Sequence, residues 1–234
     1  MDIGNSRNNR VSRRGFLQIV AVAGAAATCW KLGLFGAADK LQVARRSQPI
    51  MGTILNLTVY GPDRDQCEEA LAETIATMRS LEAKMSRHMA DSELSTLNRT
   101  SILENPGQDL LNVLNLAQDI SRKTSGTFDV TILPLLALHE RSNGIVDFQG
   151  NSTAKKLVGY ENLVIGQESI KLNQPGMGVS HDGIGTGYIF DRGVDQLKDY
   201  GFNNVYVEAG GDLMVSGQKS DYTPWRIGIR NPRP

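Results

Sequence analysis

Apolar residues recur at three- and four-residue steps over three stretches of the chain, the spacing of one helix face. The first stretch runs from Asp63 to Ser86 and carries six apolar residues on that spacing: Cys67, Leu71, Ile75, Met78, Leu81 and Met85. Leu110 to Thr124 and Tyr188 to Tyr200 repeat the pattern, with Gly126 and Gly201 placed as C-terminal glycines. We therefore predict three long helices, and two short ones at 91–99, capped by Asp91 or Ser92, and at 152–158.

Other stretches combine β-branched residues with alternation, which is typical of strands. We predict one strand at each of 49–61 and 128–136, two strands joined by a turn at 162–172, and one further strand within each of 203–217 and 225–232. Strands and helices mix without strict βαβ alternation. The sequence therefore predicts a single domain of mixed α/β (α+β) class.

The first 38 residues have the composition of an export signal. Arg13 and Arg14 precede a moderately apolar run from Phe16 to Ala27, which is short for a membrane span. The arginine pair followed by Phe16 and Leu17 resembles a twin-arginine signal, and a small-residue cleavage site follows Ala38. We predict a signal at 1–38 and a domain at 39–234, in a protein exported across the bacterial inner membrane to a periplasmic or membrane-associated location. The alternative is an uncleaved anchor helix.

Charge argues against a nucleic-acid partner. The chain carries 25 basic and 25 acidic residues, and most of the early charges are arginines of the signal. Beyond residue 38 the balance is 20 basic to 24 acidic residues, so the body is mildly acidic. Cys67 is the only cysteine of that body, which rules out an intramolecular disulfide there.

Two glycine-rich segments are the candidate binding features. In "SHDGIGTGYIFD", Ser180 to Asp191, glycines alternate just before a predicted helix. The spacing fits neither a dinucleotide fingerprint nor a Walker A loop. Exposed backbone N–H groups at a helix start favour a phosphate, and a plain tight turn is the alternative. The second segment, "EAGGDL" at 208–213, is either a further backbone-exposing turn beside the same ligand or an ordinary hairpin.

The sequence gives little support for a histidine metal site or a serine hydrolase. His88, His139 and His181 lack the spacing of a helical metal pair, and no serine-hydrolase motif is present. Asp129 falls within a predicted strand, where a carboxylate needs a partner, a metal or an exit to solvent. Residues alone therefore indicate an exported α/β protein with a possible phosphate-bearing ligand.

Six motifs in order change this picture. "PIMGT", "ADSELSTLN", "GTFDVTILPL", "GIGTGYIFD", "EAGGDL" and "WRIGIRNP", spanning 49–232, together resemble the ApbE family of FAD:protein FMN transferases. The resemblance implies an exported mixed α/β enzyme that uses FAD as substrate with Mg²⁺. It also implies an acceptor protein, typically a subunit of a membrane redox complex, that receives FMN on a Thr or Ser.

The resemblance also implies a set of site residues. The carbonyl of Gly183 is expected to ligate the metal. The expected FAD contacts are Met51, His88, Thr127, Phe128, Asp129, Ser180, Thr186, Gly210, Gly211 and Asp212. We expect Asp129→Asn to weaken FAD binding while leaving the stability of the ligand-free protein nearly unchanged. No residue is assigned as the catalytic base.

Several positions depart from the family pattern. His88 stands where the family commonly has a stacking tyrosine, Ser180 where it has an aspartate, Thr186 where it has Lys or Glu, and His139 where a tryptophan is frequent. The family's C-terminal segment with its remaining metal ligands has no counterpart in the chain, so the C-terminal part of the domain is expected to be missing. The alternatives to a transferase are a non-catalytic FAD-binding module and an FAD pyrophosphatase.

Overall fold

The computed structural model describes residues 41–142, 148–219, 223–229 and 231, and the predicted signal at 1–38 lies outside them. Within these ranges the helices are α1 (Arg64–Met85), α2 (Glu93–Thr100), α3 (Gln108–Lys123), α4 (Leu133–Arg141), α5 (Phe148–Lys155) and α6 (Gly185–Asp199). The strands are β1 (Gln42–Ile50), β2 (Thr53–Gly61), β3 (Ile102–Glu104), β4 (Leu163–Ile165), β5 (Ser169–Leu172), β6 (Asn204–Ala209) and β7 (Asp212–Ser216). The prediction of a mixed α/β class is confirmed.

Two antiparallel sheets organise the chain. The larger has the order β1-β2-β6-β7, and the smaller has the order β3-β5-β4. In the larger sheet Leu55 pairs with Ala209 and Leu57 with Val207. Because side chains alternate across a strand, these four point to one face, and all are buried.

Helices α1 and α6 contact each other, and α1 also contacts β1 and β2. The buried residues of α1 follow the predicted periodicity, from Cys67 through Met78 to Met85. Cys67 is fully buried, and a β-carbon placed on Gly61 would lie 2.9 Å from its sulfur. The core therefore lies between this helical layer and the larger sheet.

Three strand predictions are corrected. The stretch 49–61 is two strands, because Met51 and Gly52 adopt positive φ angles and turn the chain into a hairpin. The stretch 203–217 is likewise two strands, β6 and β7, joined by Gly210 and Gly211. No strand is assigned at 224–229, where Trp225 packs against Tyr60 and Tyr206.

The prediction of a strand at 128–136 is wrong. This stretch turns and then enters α4, with a proline in its first turn, where the missing N–H of Pro134 breaks no helical hydrogen bond. No residue of α4 is fully buried, so its sequence shows no amphipathic helical period. Without that period the apolar run resembles a strand.

Within the described ranges, no helix is both long and apolar enough to cross a membrane.

Candidate functional site

The turns of the β1–β2 and β6–β7 hairpins lie at the same end of the larger sheet. A β-carbon built on Gly210 would lie 3.3 Å from the Thr53 hydroxyl, so the two turns are neighbours. Gly210 and Gly211 have φ angles of 61° and 105°, the left-handed values that glycine adopts readily in a two-residue hairpin. The ordinary-hairpin interpretation of "EAGGDL" is therefore correct for the backbone, and the turn also borders the candidate site.

Two openings flank the start of α6 beside these turns. The first, which we call the methionine–histidine cleft, has a volume of about 520 Å³. Among its lining residues are Met51, Arg87, His88, His181, Asp182 and Thr186. The second, the acidic hollow, measures about 410 Å³ and is lined among others by Asp182, Gly183, Thr186, Asp191 and Asp212. Asp182 and Thr186 line both, so the first turn of α6 separates the two openings.

The glycine-rich segment forms a tight entry into α6. The carbonyl of His181 accepts hydrogen bonds from the N–H groups of Ile184 and Gly185, at 2.9 and 2.7 Å. A β-carbon on Gly185 would lie 2.6 Å from the imidazole of His181, so only glycine leaves room for that ring. The first turn of α6 contains no acidic residue. The positive end of the helix dipole therefore faces the openings without a local counter-charge from that turn.

Arg87 connects three elements at the rim of the methionine–histidine cleft. Its guanidinium bonds Asp182, before α6, and Glu140, on α4, both at 2.8 Å, and only 14% of its side chain is exposed. The hydrogen bond from Arg87 lowers the pKa of the Glu140 carboxyl. The loop after α1 is thereby held to α4 and to the glycine-rich segment.

His181 is the most enclosed ionisable group of the cleft. Its side chain is 11% exposed, and its buried Nδ1 has no hydrogen-bond partner. The nearest carboxylate oxygen, on Asp182, lies 3.8 Å away. Burial lowers the pKa of the imidazole and so favours its neutral form.

The structure brings some of the sequence-predicted residues together. Met51, His88 and Thr186 share the methionine–histidine cleft, where Met51 is half-buried and His88 exposed. Gly183 and Asp212 share the acidic hollow with Thr186. Met51 and Asp212 are far apart in the sequence and line two neighbouring openings.

Other predicted residues lie around these openings rather than in their walls. Ser180 is buried, its N–H donates to the carbonyl of Val130, and its hydroxyl accepts from the Asp182 N–H. Phe128 approaches the acidic hollow from behind, since a β-carbon on Gly183 would lie 3.2 Å from its ring. Thr127 is exposed at the preceding position.

The Asp129 carboxylate is occupied by its own loop. One oxygen accepts hydrogen bonds from the N–H and hydroxyl of Thr131, at 2.8 and 2.7 Å, and the other accepts from the Tyr160 N–H at 2.9 Å. Asp129 lies in a loop and not in the predicted strand, and the protein itself supplies the partners of its carboxylate. In the described structure Asp129 joins the 127–131 loop to the 159–160 turn.

Sequence reasoning missed Glu82, Arg87 and His181 as residues of the site. Glu82 accepts a hydrogen bond from the Met51 N–H at 2.7 Å, across 31 positions of sequence. Arg87 meets Asp182 across 95 positions. Such contacts carry no local sequence signal, although the position of Arg87 and His88 directly after a long helix could have drawn attention to that loop.

The predicted magnesium position has a suitable donor type but no assembled cluster. Asp182, Asp191 and Asp212 line the hollow with Gly183, and oxygen is the donor that Mg²⁺ prefers. Across the described ranges, however, no three His, Cys, Asp or Glu side chains lie close enough together to hold a metal ion.

Comparison with known proteins matches this arrangement to one family. The sequence profile of the ApbE family matches residues 51–234. The chain belongs to the ApbE family. Its motif resemblance is therefore confirmed over most of its length.

Relatives within the ApbE family share both sequence and fold. The chain is 27% identical over 207 residues to an FAD:protein FMN transferase of Vibrio cholerae, covering 85% of this chain and 62% of the relative. A Haemophilus influenzae protein of the same name is 25% identical over 225 residues, covering 90% and 65%. The solved structure of the flavin transferase ApbE from Vibrio cholerae superposes with a TM-score of 0.74 at 25% identity, covering 82% of this chain and 65% of that one. The apo flavinyl transferase ApbE of Pseudomonas stutzeri gives 0.72 at 25% identity, covering 81% and 66%.

The chain thus spans a little under two thirds of the length of the curated relatives it matches.

Proposed function

We propose that this protein is an FAD:protein FMN transferase. The observation that carries the proposal is the convergence of the ApbE motifs on one place: Met51, Gly183, Thr186 and Asp212 border two adjoining openings at the start of α6. The cleft with Met51 and the two imidazoles suits a flat flavin ring, because thioether and ring faces offer apolar contact area. The start of α6 suits a diphosphate, because it presents the positive end of a helix.

In the proposed reaction, a Thr or Ser hydroxyl of an acceptor protein attacks the phosphorus of the FMN half of FAD. A new oxygen–phosphorus bond forms, the diphosphate bond breaks, and AMP leaves with the bonding electrons while the hydroxyl loses its proton. The residues of this chain bind and orient FAD in this scheme. No residue is assigned to take the proton.

Magnesium and location complete the proposal. The Gly183 carbonyl and the carboxylates of the acidic hollow belong to residues that line the opening in which we place the diphosphate, and we assign no chemical step to a metal held by them. The arginine pair and apolar run at 13–27 support export across the bacterial inner membrane. An exported transferase suits an acceptor subunit of a membrane redox complex.

The test is transfer of flavin to an acceptor. The protein is incubated with FAD, MgCl₂ and an acceptor domain carrying a flavinylation Thr, and covalent flavin fluorescence is read on a denaturing gel while AMP is quantified. We expect one labelled acceptor per AMP released, no label on an acceptor with that Thr changed to Val, and loss of label in EDTA.

Other outcomes identify the two competing functions. AMP and free FMN without labelled acceptor would indicate a pyrophosphatase. FAD binding without AMP release would indicate a binding module.

A further inference from the structure

The β1–β2 turn places a methionine in a backbone conformation that methionine rarely adopts. Met51 has φ of 51° and Gly52 has φ of 71°, the pattern of a type I′ hairpin turn. Gly is preferred at the first position because a β-carbon crowds the following carbonyl oxygen there, and Asn or Asp because their short polar side chains can hydrogen-bond locally. Met51 is nonetheless half-buried against the core and lines the methionine–histidine cleft. Its side chain therefore has a use that outweighs the unfavourable backbone.

One side-chain contact fixes this turn to the helical layer. The Met51 N–H donates to Oε1 of Glu82 at 2.7 Å. Glu82 belongs to the last turn of α1, where a negative charge is unfavourable because it faces the negative end of the helix dipole. Helix stability does not explain a carboxylate at this position, whereas the hydrogen bond to Met51 does.

Glu82 also links two walls of the same cleft. It lines the cleft itself, and the chain that leaves its helix supplies Ser86, Arg87 and His88 to the lining of the same cleft. The hydrogen bond between Glu82 and Met51 thus sets the separation between the turn and that loop.

We propose that Glu82 is a positioning residue that presents Met51 to the flavin ring. The inference rests on the proposed function, since it takes the flavin of FAD as the occupant of the cleft. The carboxylate of Glu82 accepts the hydrogen bond of the Met51 N–H and thereby fixes the β1–β2 turn. The fixed turn directs the thioether of Met51 into the cleft. Without the carboxylate of Glu82 the turn is no longer fixed, and the Met51 side chain is no longer held in the cleft.

The first measurement needs no ligand. Amide hydrogen exchange at Met51 is compared in the wild-type protein, Glu82→Ala, Glu82→Gln and the control Glu69→Ala, an exposed glutamate of the same helix. Loss of a charge-assisted hydrogen bond is expected to speed exchange at Met51 about tenfold or more in Glu82→Ala. The glutamine variant keeps an acceptor oxygen and restores most of the protection, and the control leaves it unchanged. Unaltered exchange in Glu82→Ala would overturn the proposal.

The second measurement joins the turn to the ligand. FAD affinity is measured by quenching of flavin fluorescence in Glu82→Ala, in Met51→Gly and in the double variant. We expect Glu82→Ala to weaken FAD binding about tenfold and to add no further loss in the Met51→Gly background, because coupled residues act through one contact. Additive losses would show that Glu82 does not act through Met51. If the exchange result holds but the wild-type protein binds no FAD, the proposed function fails and the control of the turn by Glu82 stands.

Discussion

At the scale of single residues, the described contacts separate side chains that face the openings from side chains that build them. Met51, Thr186 and Asp212 border open space, whereas Asp129 accepts two hydrogen bonds from Thr131 in its own loop and one from Tyr160 in the 159–160 turn. A motif match alone treats these residues alike. The hydrogen bonds show which of them the ligand-free protein already uses.

The first prediction concerns Asp129→Asn. An amide in place of the carboxylate sets an NH₂ group against an N–H or hydroxyl donor, leaving a partly buried donor without its acceptor. We expect the ligand-free protein to lose about 1–3 kcal/mol of unfolding free energy, measured by urea denaturation. This reverses the expectation from sequence, in which only FAD binding weakens. An unchanged urea midpoint would show that the contacts of Asp129 do not stabilise the fold, and its flavin contact stays a prediction in either case.

The second prediction concerns acid. His181 has a pKa below its ordinary 6.5 because it is buried, so the unfolded chain binds this proton more readily than the folded one. The free energy of unfolding is therefore expected to fall as pH is lowered from about 6.5 through the depressed pKa of the folded state. His181→Gln should flatten this dependence, as measured by urea midpoints between pH 7.5 and 5. His139→Gln, a change at an exposed histidine, serves as the control and should keep the pH dependence of the wild-type protein. An equal pH dependence in the two variants would show that His181 is not its source.

At the scale of elements, helix caps position the loop that carries Arg87 and His88. Ser92 caps α2, where its hydroxyl accepts from the Ser95 N–H at 2.9 Å and donates to the Ser86 carbonyl at 2.6 Å. It is 2% exposed. One serine thus closes the 86–92 loop at both ends, and the sequence predicted it as one of two possible caps.

The third prediction tests that cap. Ser92→Ala should lower the unfolding free energy by about 1–2 kcal/mol, the range for a lost N-cap, as measured by chemical denaturation. Ser95→Ala is the matched control, because it keeps the cap and removes only a 3.3 Å hydrogen bond to Ser86. A loss of equal size in the control would show that the cap is not the stabilising feature.

At the scale of the whole molecule, local patterns predicted the class and most helices, while the site walls needed the folded chain. The periodicity of α1 and α6 is visible because each buries one face against the larger sheet. The prediction for 128–136 was wrong because α4 does not bury one face in this way. The ion pairs of Arg87 connect residues 53 and 95 positions away, and no window of sequence records such pairs.

In the candidate site, too, local sequence predicted some features and missed the contacts between distant residues. Glycine-rich motifs predicted the start of α6 and the β6–β7 turn, because Gly210 and Gly211 adopt positive φ angles and Gly185 leaves room for a neighbouring side chain. They did not predict that His181 fills the space beside Gly185, nor that Glu82 holds Met51. Those contacts follow from how α1 lies between the hairpin and the glycine-rich segment.

The seclusion of Cys67 has a practical consequence. It is one of two cysteines in the chain, and burial, followed by the charges of Asp63 and Glu68, raises the pKa of its thiol. An alkylating reagent reaches this buried sulfur only after an opening of the fold that exposes Cys67. In a protein without Cys29, the rate at which Cys67 is alkylated therefore reports how often the domain opens, and no cysteine has to be introduced.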